Sequence, residues 1–126
     1  MELDYSKPGG LVAAVVQDAS SGRVLMVGHM NREAMEKTVA SGRVTFFSRS
    51  RNKLWTKGET SGHFLAVRQI FADCDQDAVL IQADAAGPGV CHHGYRSCFY
   101  RKLEGGAWRE QEPRVFDPAT VYGGGS

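Results

Sequence analysis

Two groups of residues have types and spacings able to do chemistry: the cysteines Cys74, Cys91 and Cys98, and the alternating acids of Asp73-Cys74-Asp75-Gln76-Asp77. In an extended segment side chains alternate faces, so the three carboxylates are predicted to project one way and Cys74 the other. Hard Mg²⁺ takes carboxylate oxygens and water, whereas thiolate suits the softer Zn²⁺, so one segment is predicted to serve two metals, sorted by face. In a straight strand the outer two acids lie roughly 13 Å apart, at four times the usual rise. That span is too long for one Mg²⁺, so either the segment bends or one carboxylate acts through water. The competing use of these acids is a solvated strand end that discourages edge pairing.

Cys91 and Cys98 stand seven residues apart, and they follow Cys74 by seventeen and twenty-four. An odd number of cysteines argues against a complete set of intrachain disulfides and for metal binding or catalysis in a reducing compartment. Three thiolates on one tetrahedral Zn²⁺ leave a fourth position for water, the layout of a catalytic site. The bland alternative is that each cysteine is a buried apolar residue. Three thiolates donate much charge, so a neighbouring base is needed to take the proton of an activated water. His92, next to Cys91, and His63 are the candidates, whereas His29 and His93 read as hydrogen-bonded or surface histidines.

The stretch from Ser48 to His63 combines Arg49, Arg51 and Lys57 with Ser50, Thr60 and Ser61, the ring of Trp55, and Gly58 beside Glu59. Arginine and lysine pair with phosphate, hydroxyls reach phosphate or ribose oxygens, an indole stacks on a base, and glycine admits close backbone approach. A phosphorylated nucleotide is the ligand such a mixture suits. A solvated basic loop with Trp55 folded onto the core is the alternative.

These residues need a scaffold, and 126 residues with 42% hydrophobic content allow one small domain, 1–122. Its high surface-to-volume ratio favours burial against a partner subunit. Gly123 to Ser126 have no side chains able to pack and are predicted to form a mobile tail. A formal net charge of +1 gives no footprint for duplex nucleic acid or an anionic membrane surface. No run approaches the roughly 18 apolar residues of a membrane span, and no signal-peptide layout opens the chain, which predicts a cytoplasmic protein. Leu11 to Val16 and Val24 to Val27, separated by Asp18 to Gly22, predict a hairpin. Asn31 as N-cap, Glu33 in the first turn and Gly42 as stop predict one main helix, Arg32 to Ala40, with Ala34, Met35 and Val39 as its buried stripe. Further strands are predicted at Arg43 to Phe47, Phe64 to Phe71, Ala78 to Gln82 and Ser97 to Leu103, the last turning through Gly105 and Gly106 toward Trp108. The class is α+β, mainly β, with a mixed or antiparallel sheet. Ser48 to His63 and Asp84 to Arg96 remain as long polar connections, and such loops tend to be functional.

Taken together, Ser48 to His63, Asp73 to Asp77 and Gly89 to Arg101 resemble the ordered blocks of phosphoribosyl-AMP cyclohydrolases, and Val24 to Met35 fits the same register. The resemblance runs from about residue 10 to residue 103, its most specific parts being Trp55-Thr56-Lys57-Gly58-Glu59-Thr60-Ser61-Gly62-His63 and Arg96-Ser97-Cys98-Phe99-Tyr100-Arg101. It implies hydrolysis of the N1–C6 bond of the adenine ring of phosphoribosyl-AMP to the formimino carboxamide ribonucleotide, a step of histidine biosynthesis. Carried over position by position, it implies Zn²⁺ on Cys74, Cys91 and Cys98, Mg²⁺ on Asp73, Asp75 and Asp77, and His92 as a candidate proton carrier, with His63 remaining the other candidate. It further implies an obligate homodimer in which Cys74 meets Cys91 and Cys98 of the partner. His29 stands where an aromatic residue is common and His93 where a smaller or acidic one is, which bears on affinity and pH behaviour rather than on reaction class. No room remains for a fused pyrophosphohydrolase domain, so a monofunctional enzyme is expected. A zinc-dependent base deaminase is disfavoured because its H-x-E and P-C-x-x-C signature is absent. A closed zinc module binding nucleic acid is disfavoured by the near-neutral charge and the missing fourth cysteine.

Overall fold

The computed structural model describes residues 2–6 and 8–122, so the predicted tail, 123–126, lies outside the described residues. Strands β1 (Val12–Asp18) and β2 (Val24–Met30) form the predicted hairpin, antiparallel with Val15 opposite Val27. Helix α1 (Arg32–Ser41) follows, then β3 (Thr45–Ser48), β4 (Lys53–Thr56), β5 (Leu65–Ala72), β6 (Ala78–Ala85), β7 (Arg101–Glu104), β8 (Ala107–Glu110) and a short α2 (Pro118–Tyr122). The main sheet has the order β2-β1-β6-β5, with β1 and β6 parallel and the other neighbours antiparallel. Two ribbons, β3-β4 and β7-β8, complete the β structure. The mixed, mainly β, α+β class is therefore observed.

Alternation explains which face is buried. Val12, Ala14 and Val16 of β1 and Val79, Ile81 and Ala83 of β6 point to one side, where they meet Met30, Ala34, Val44, Phe46 and Leu65. The Asn31 side chain caps α1 by accepting from the Ala34 N–H at 2.9 Å, and Gly42 closes it in the left-handed conformation, as predicted.

The inner stripe of α1 differs from the expectation. Ala34 and Thr38 are buried, Met35 packs partly against the core, and Val39 is 67% exposed. A step of four residues from Ala34 returns nearly to the same helical face, whereas a step of five overshoots it. Thr38 is tolerated there because every polar group finds a partner: its hydroxyl donates to Ala34 O at 2.8 Å and accepts from Thr45 N–H at 3.0 Å.

Three other expectations need correction. The stretch Ser48 to His63 is not free of regular structure, since β4 pairs with β3 in the register Phe46 opposite Trp55. The Asp73 to Asp77 run is the turn joining β5 to β6, not an extended strand, and Gln76 takes φ 64 within it. Ser97 to Leu103 is strand only from Arg101, because the preceding backbone bonds elsewhere: Cys98 N–H donates to Leu25 O at 2.7 Å and Phe99 N–H to the Ser97 hydroxyl at 2.9 Å.

Candidate active site

The β3-β4 ribbon and the loop after it wall an open cleft of about 380 Å³. Of the predicted nucleotide-binding residues, Ser50, Arg51, Trp55, Lys57, Gly58, Glu59, Thr60 and Ser61 line it, joined by Ser48 and Thr56; Arg49 does not. His92 reaches the same cleft from the loop between β6 and β7. The Trp55 ring rests on Phe46, centroids 5.1 Å apart, so the core fixes the indole that forms part of the wall. The loop after β4 is held by Lys57 N–H to Val44 O at 3.0 Å, Glu59 N–H to Thr56 O at 3.1 Å and Gly62 N–H to Gly58 O at 2.7 Å. Gly58 has φ 95, and a Cβ there would sit 2.5 Å from the Phe64 nitrogen, so two stretches of backbone pass where no side chain fits.

Lys57 is the buried cation of the cleft, 7% exposed. Burial lowers its ammonium below the usual lysine value, against the opposing pull of Cys98 and Cys91. It thus sets positive charge beside the two thiols.

The thiol loop is organised around those cysteines. Cys91 is buried, and its Sγ accepts from His93 N–H at 3.4 Å, a contact that orients the sulfur. Gly94 N–H closes the turn on Cys91 O at 2.9 Å. Loss of solvent around the Cys98 sulfur and then the neighbouring Cys91 push the Cys98 thiol up to about 11, with Lys57 opposing. Two adjacent thiols that resist joint ionisation are a donor set suited to a soft divalent cation, which ionises both on binding. Cys74 is exposed in the β5-β6 turn. Among the described residues the only three-ligand cluster is Asp73, Asp75 and Asp77, so Cys74 does not join Cys91 and Cys98 within the protomer.

Ser97 anchors the second cysteine and was not among the residues the sequence singled out. Fully buried, it donates to Val24 O at 2.7 Å and accepts from Phe99 N–H, which fastens the Cys98 backbone to β2. A Ser97→Ala protein is expected to lose about 1–3 kcal/mol of stability, because it orphans a buried carbonyl and an N–H. Urea unfolding of the metal-free protein measures this.

The acidic turn folds back on itself, so that the candidate carboxylate oxygens lie within 4.8 Å of one another rather than along a straight strand. One Asp73 oxygen accepts from Asp77 N–H at 3.0 Å and Ala78 N–H at 3.2 Å, which is the local reason for the bend. Partial loss of solvent works against ionised Asp73, but the Ala78 N–H and the neighbouring groups hold it below the usual carboxylate range. Hydrogen bonding to Asp75, then desolvation and Asp73, raises Asp77. Such crowding is relieved by a hard cation, so the set fits Mg²⁺.

The two candidate histidines part company. His92 lies at the cleft with its ring 4.2 Å from that of His93, and loss of solvent, then His93 and Lys57, lowers its pKa below the ordinary imidazole value. His63 lies outside the cleft lining, against Gly87 and edge-on to Phe116 at 5.1 Å. Its Nδ1 is buried without a hydrogen-bond partner.

The family model for phosphoribosyl-AMP cyclohydrolase matches residues 26–100. The chain belongs to that family. A phosphoribosyl-AMP cyclohydrolase of Solibacter usitatus (strain Ellin6076) is 60% identical over the full length of both chains. Its counterpart in Citrifermentans bemidjiense is 49% identical, covering 97% of this chain and 98% of its own. The enzyme of Nitratidesulfovibrio vulgaris is 50% identical over 94% of each. The matched span contains the cleft, the acidic turn and all three cysteines, which places the candidate site inside the family's common region.

Proposed function

We propose that this family member hydrolyses the N1–C6 bond of phosphoribosyl-AMP, yielding the formimino carboxamide ribonucleotide of histidine biosynthesis. The supporting observation is the shared cleft: His92, one residue from Cys91, faces the cationic, hydroxyl-bearing loop Lys57 to Ser61 around Trp55. Arg51 and Lys57 supply charge for phosphate, the hydroxyls of Ser50, Thr60 and Ser61 reach phosphate or ribose, and Trp55 offers a flat wall to the base. His92 is the proton carrier: its lowered pKa keeps the imidazole neutral near pH 7, ready to take the proton of the attacking water and return it to the departing ring nitrogen.

Cys91 and Cys98, with Cys74 of the partner subunit, would hold Zn²⁺. When bound, zinc supplies acidification of a water for attack at C6. Asp73, Asp75 and Asp77 would hold Mg²⁺, whose part is to orient substrate phosphate. An Asp75→Asn protein is expected to bind Mg²⁺ at least about tenfold more weakly in isothermal titration, with zinc content retained. Unchanged affinity would remove the acidic turn from magnesium binding.

A homodimer follows from the separation of Cys74 from its proposed co-ligands, and uncovered apolar surface borders both halves of that ligand set. Phe71, 46% exposed, precedes the Cys74 turn, while Phe99, 56% exposed, follows Cys98. Leu103 and Trp108 face each other across the β7-β8 ribbon and are 55% and 67% exposed. An isolated two-stranded ribbon is marginal in water, and a second copy supplies the cover. Three unpaired cysteines suit a reducing cytoplasm; no helix among the described residues is long and apolar enough to cross a membrane.

The deciding experiment incubates the purified, zinc-loaded chain with phosphoribosyl-AMP and follows ring opening by absorbance and mass spectrometry. Gain of one water with loss of the purine chromophore is expected. An unchanged substrate under zinc- and magnesium-replete conditions would reject the proposal.

A further inference from the structure

The segment Gln111 to Phe116 contributes no group to the proposed chemistry, yet it crosses back over the thiol loop and fastens it at several points. Gln111 N–H donates to Tyr100 O at 2.9 Å, and the N–H groups of Val115 and Phe116 both donate to Gly94 O, at 2.8 and 3.3 Å. Gly94 has φ 98, and a Cβ there would stand 2.5 Å from Phe116 O, so the strap lies where only glycine admits it. At its start, Glu112 takes both terminal nitrogens of Arg23 at 2.6 and 2.8 Å, which ties the strap to the β1-β2 turn. At its end, the Phe116 ring meets His63 edge-on at 5.1 Å.

The thiol loop needs such a fastening. Residues 86–100 form no regular ladder; Val90 reaches the main core, but the turn beyond it is buried only in a separate cluster of Cys91, Tyr95 and Tyr100. Tyr95 and Tyr100 stack at 3.5 Å, and the Arg114 guanidinium of the strap lies over Tyr95 at 5.8 Å. A cluster of three side chains gives little hydrophobic stabilisation on its own.

We infer that Gln111 to Phe116 is a positioning strap for the metal site. It fixes the Cys91 to Gly94 turn, and with it the Cys91 sulfur and His92, by clasping Gly94 and wedging Phe116 against His63. His63 acts through this packing as a positioning residue, seated between Gly87 and Phe116. The inference rests on the proposed zinc ligation by Cys91 and Cys98.

The test uses the full-length, zinc-loaded chain with Phe116→Ala, Phe116→Leu and Glu112→Gln substitutions. It reads zinc release to a chromogenic chelator, kcat and KM separately, and thermal midpoint. Phe116→Ala is expected to release zinc at least about tenfold faster and to lower kcat with KM within about twofold, as loss of a ligand-orienting contact does. Phe116→Leu should recover most of both losses, and Glu112→Gln should move both in the same direction by less. Zinc release and kcat at wild-type levels in Phe116→Leu and Glu112→Gln, together with a Phe116→Ala protein that is only less heat-stable, would overturn the strap while leaving zinc ligation intact. A wild-type chain that takes up no zinc would overturn the ligation and the strap with it.

Discussion

Replacement of Cys91 by serine is expected to empty the zinc site and lower turnover by about 10³-fold or more, since an alcohol does not ionise at neutral pH to replace a thiolate ligand. The side chain is 2% exposed and the exchange nearly isosteric, so the fold should survive; the urea midpoint of the metal-free protein checks this. Elemental analysis should find zinc lost together with activity. A second readout needs no metal. Cys91 is the second-largest cause raising the Cys98 thiol, after loss of solvent. Removing it should therefore lower the Cys98 pKa, and metal-free Cys91→Ser should be alkylated at Cys98 faster than metal-free wild type at pH 8. A Cys91→Ser enzyme that turns over without zinc would refute the assignment.

What the sequence could reveal depended on whether a residue's role lies in local pattern or in distant contacts. The β1-β2 hairpin and the caps of α1 were readable because alternation, Asn31 and Gly42 act locally. Val39 was misplaced because an apolar residue was assigned inward by type, while Thr38, polar but able to bond Ala34 and Thr45, took the buried position. The acidic run was identified as a metal candidate by composition, but its shape follows from one Asp73 oxygen accepting two N–H groups, which alternation does not encode. Ser97 stood only as one member of a resembling block and its anchoring role was not legible, because that role lies in the carbonyls of β2, more than seventy residues earlier. The cleft residues Ser50, Arg51, Trp55 and Lys57 to Ser61 were legible because their types speak to phosphate and base; that β4 runs through them was hidden by the polar sequence around it.

His92 and His63 illustrate the same division, and the former yields the second large expected effect. A His92→Ala enzyme should bind zinc normally and lose about 10²–10⁴-fold in kcat, the usual worth of a positioned general base. The pH profile carries the specific signature. A base must be neutral to act, so activity rises with pH through its pKa. Because loss of solvent, His93 and Lys57 all lower the pKa of His92, the wild-type acid limb should fall below that of an ordinary imidazole. Exchange of His93 for glutamine removes one repulsive neighbour at 4.2 Å and should move that limb toward higher pH, while His92→Ala should abolish it. Added imidazole should restore part of the lost rate by entering the open cleft. Turnover unchanged across pH in His92→Ala would instead assign the proton transfer to another group.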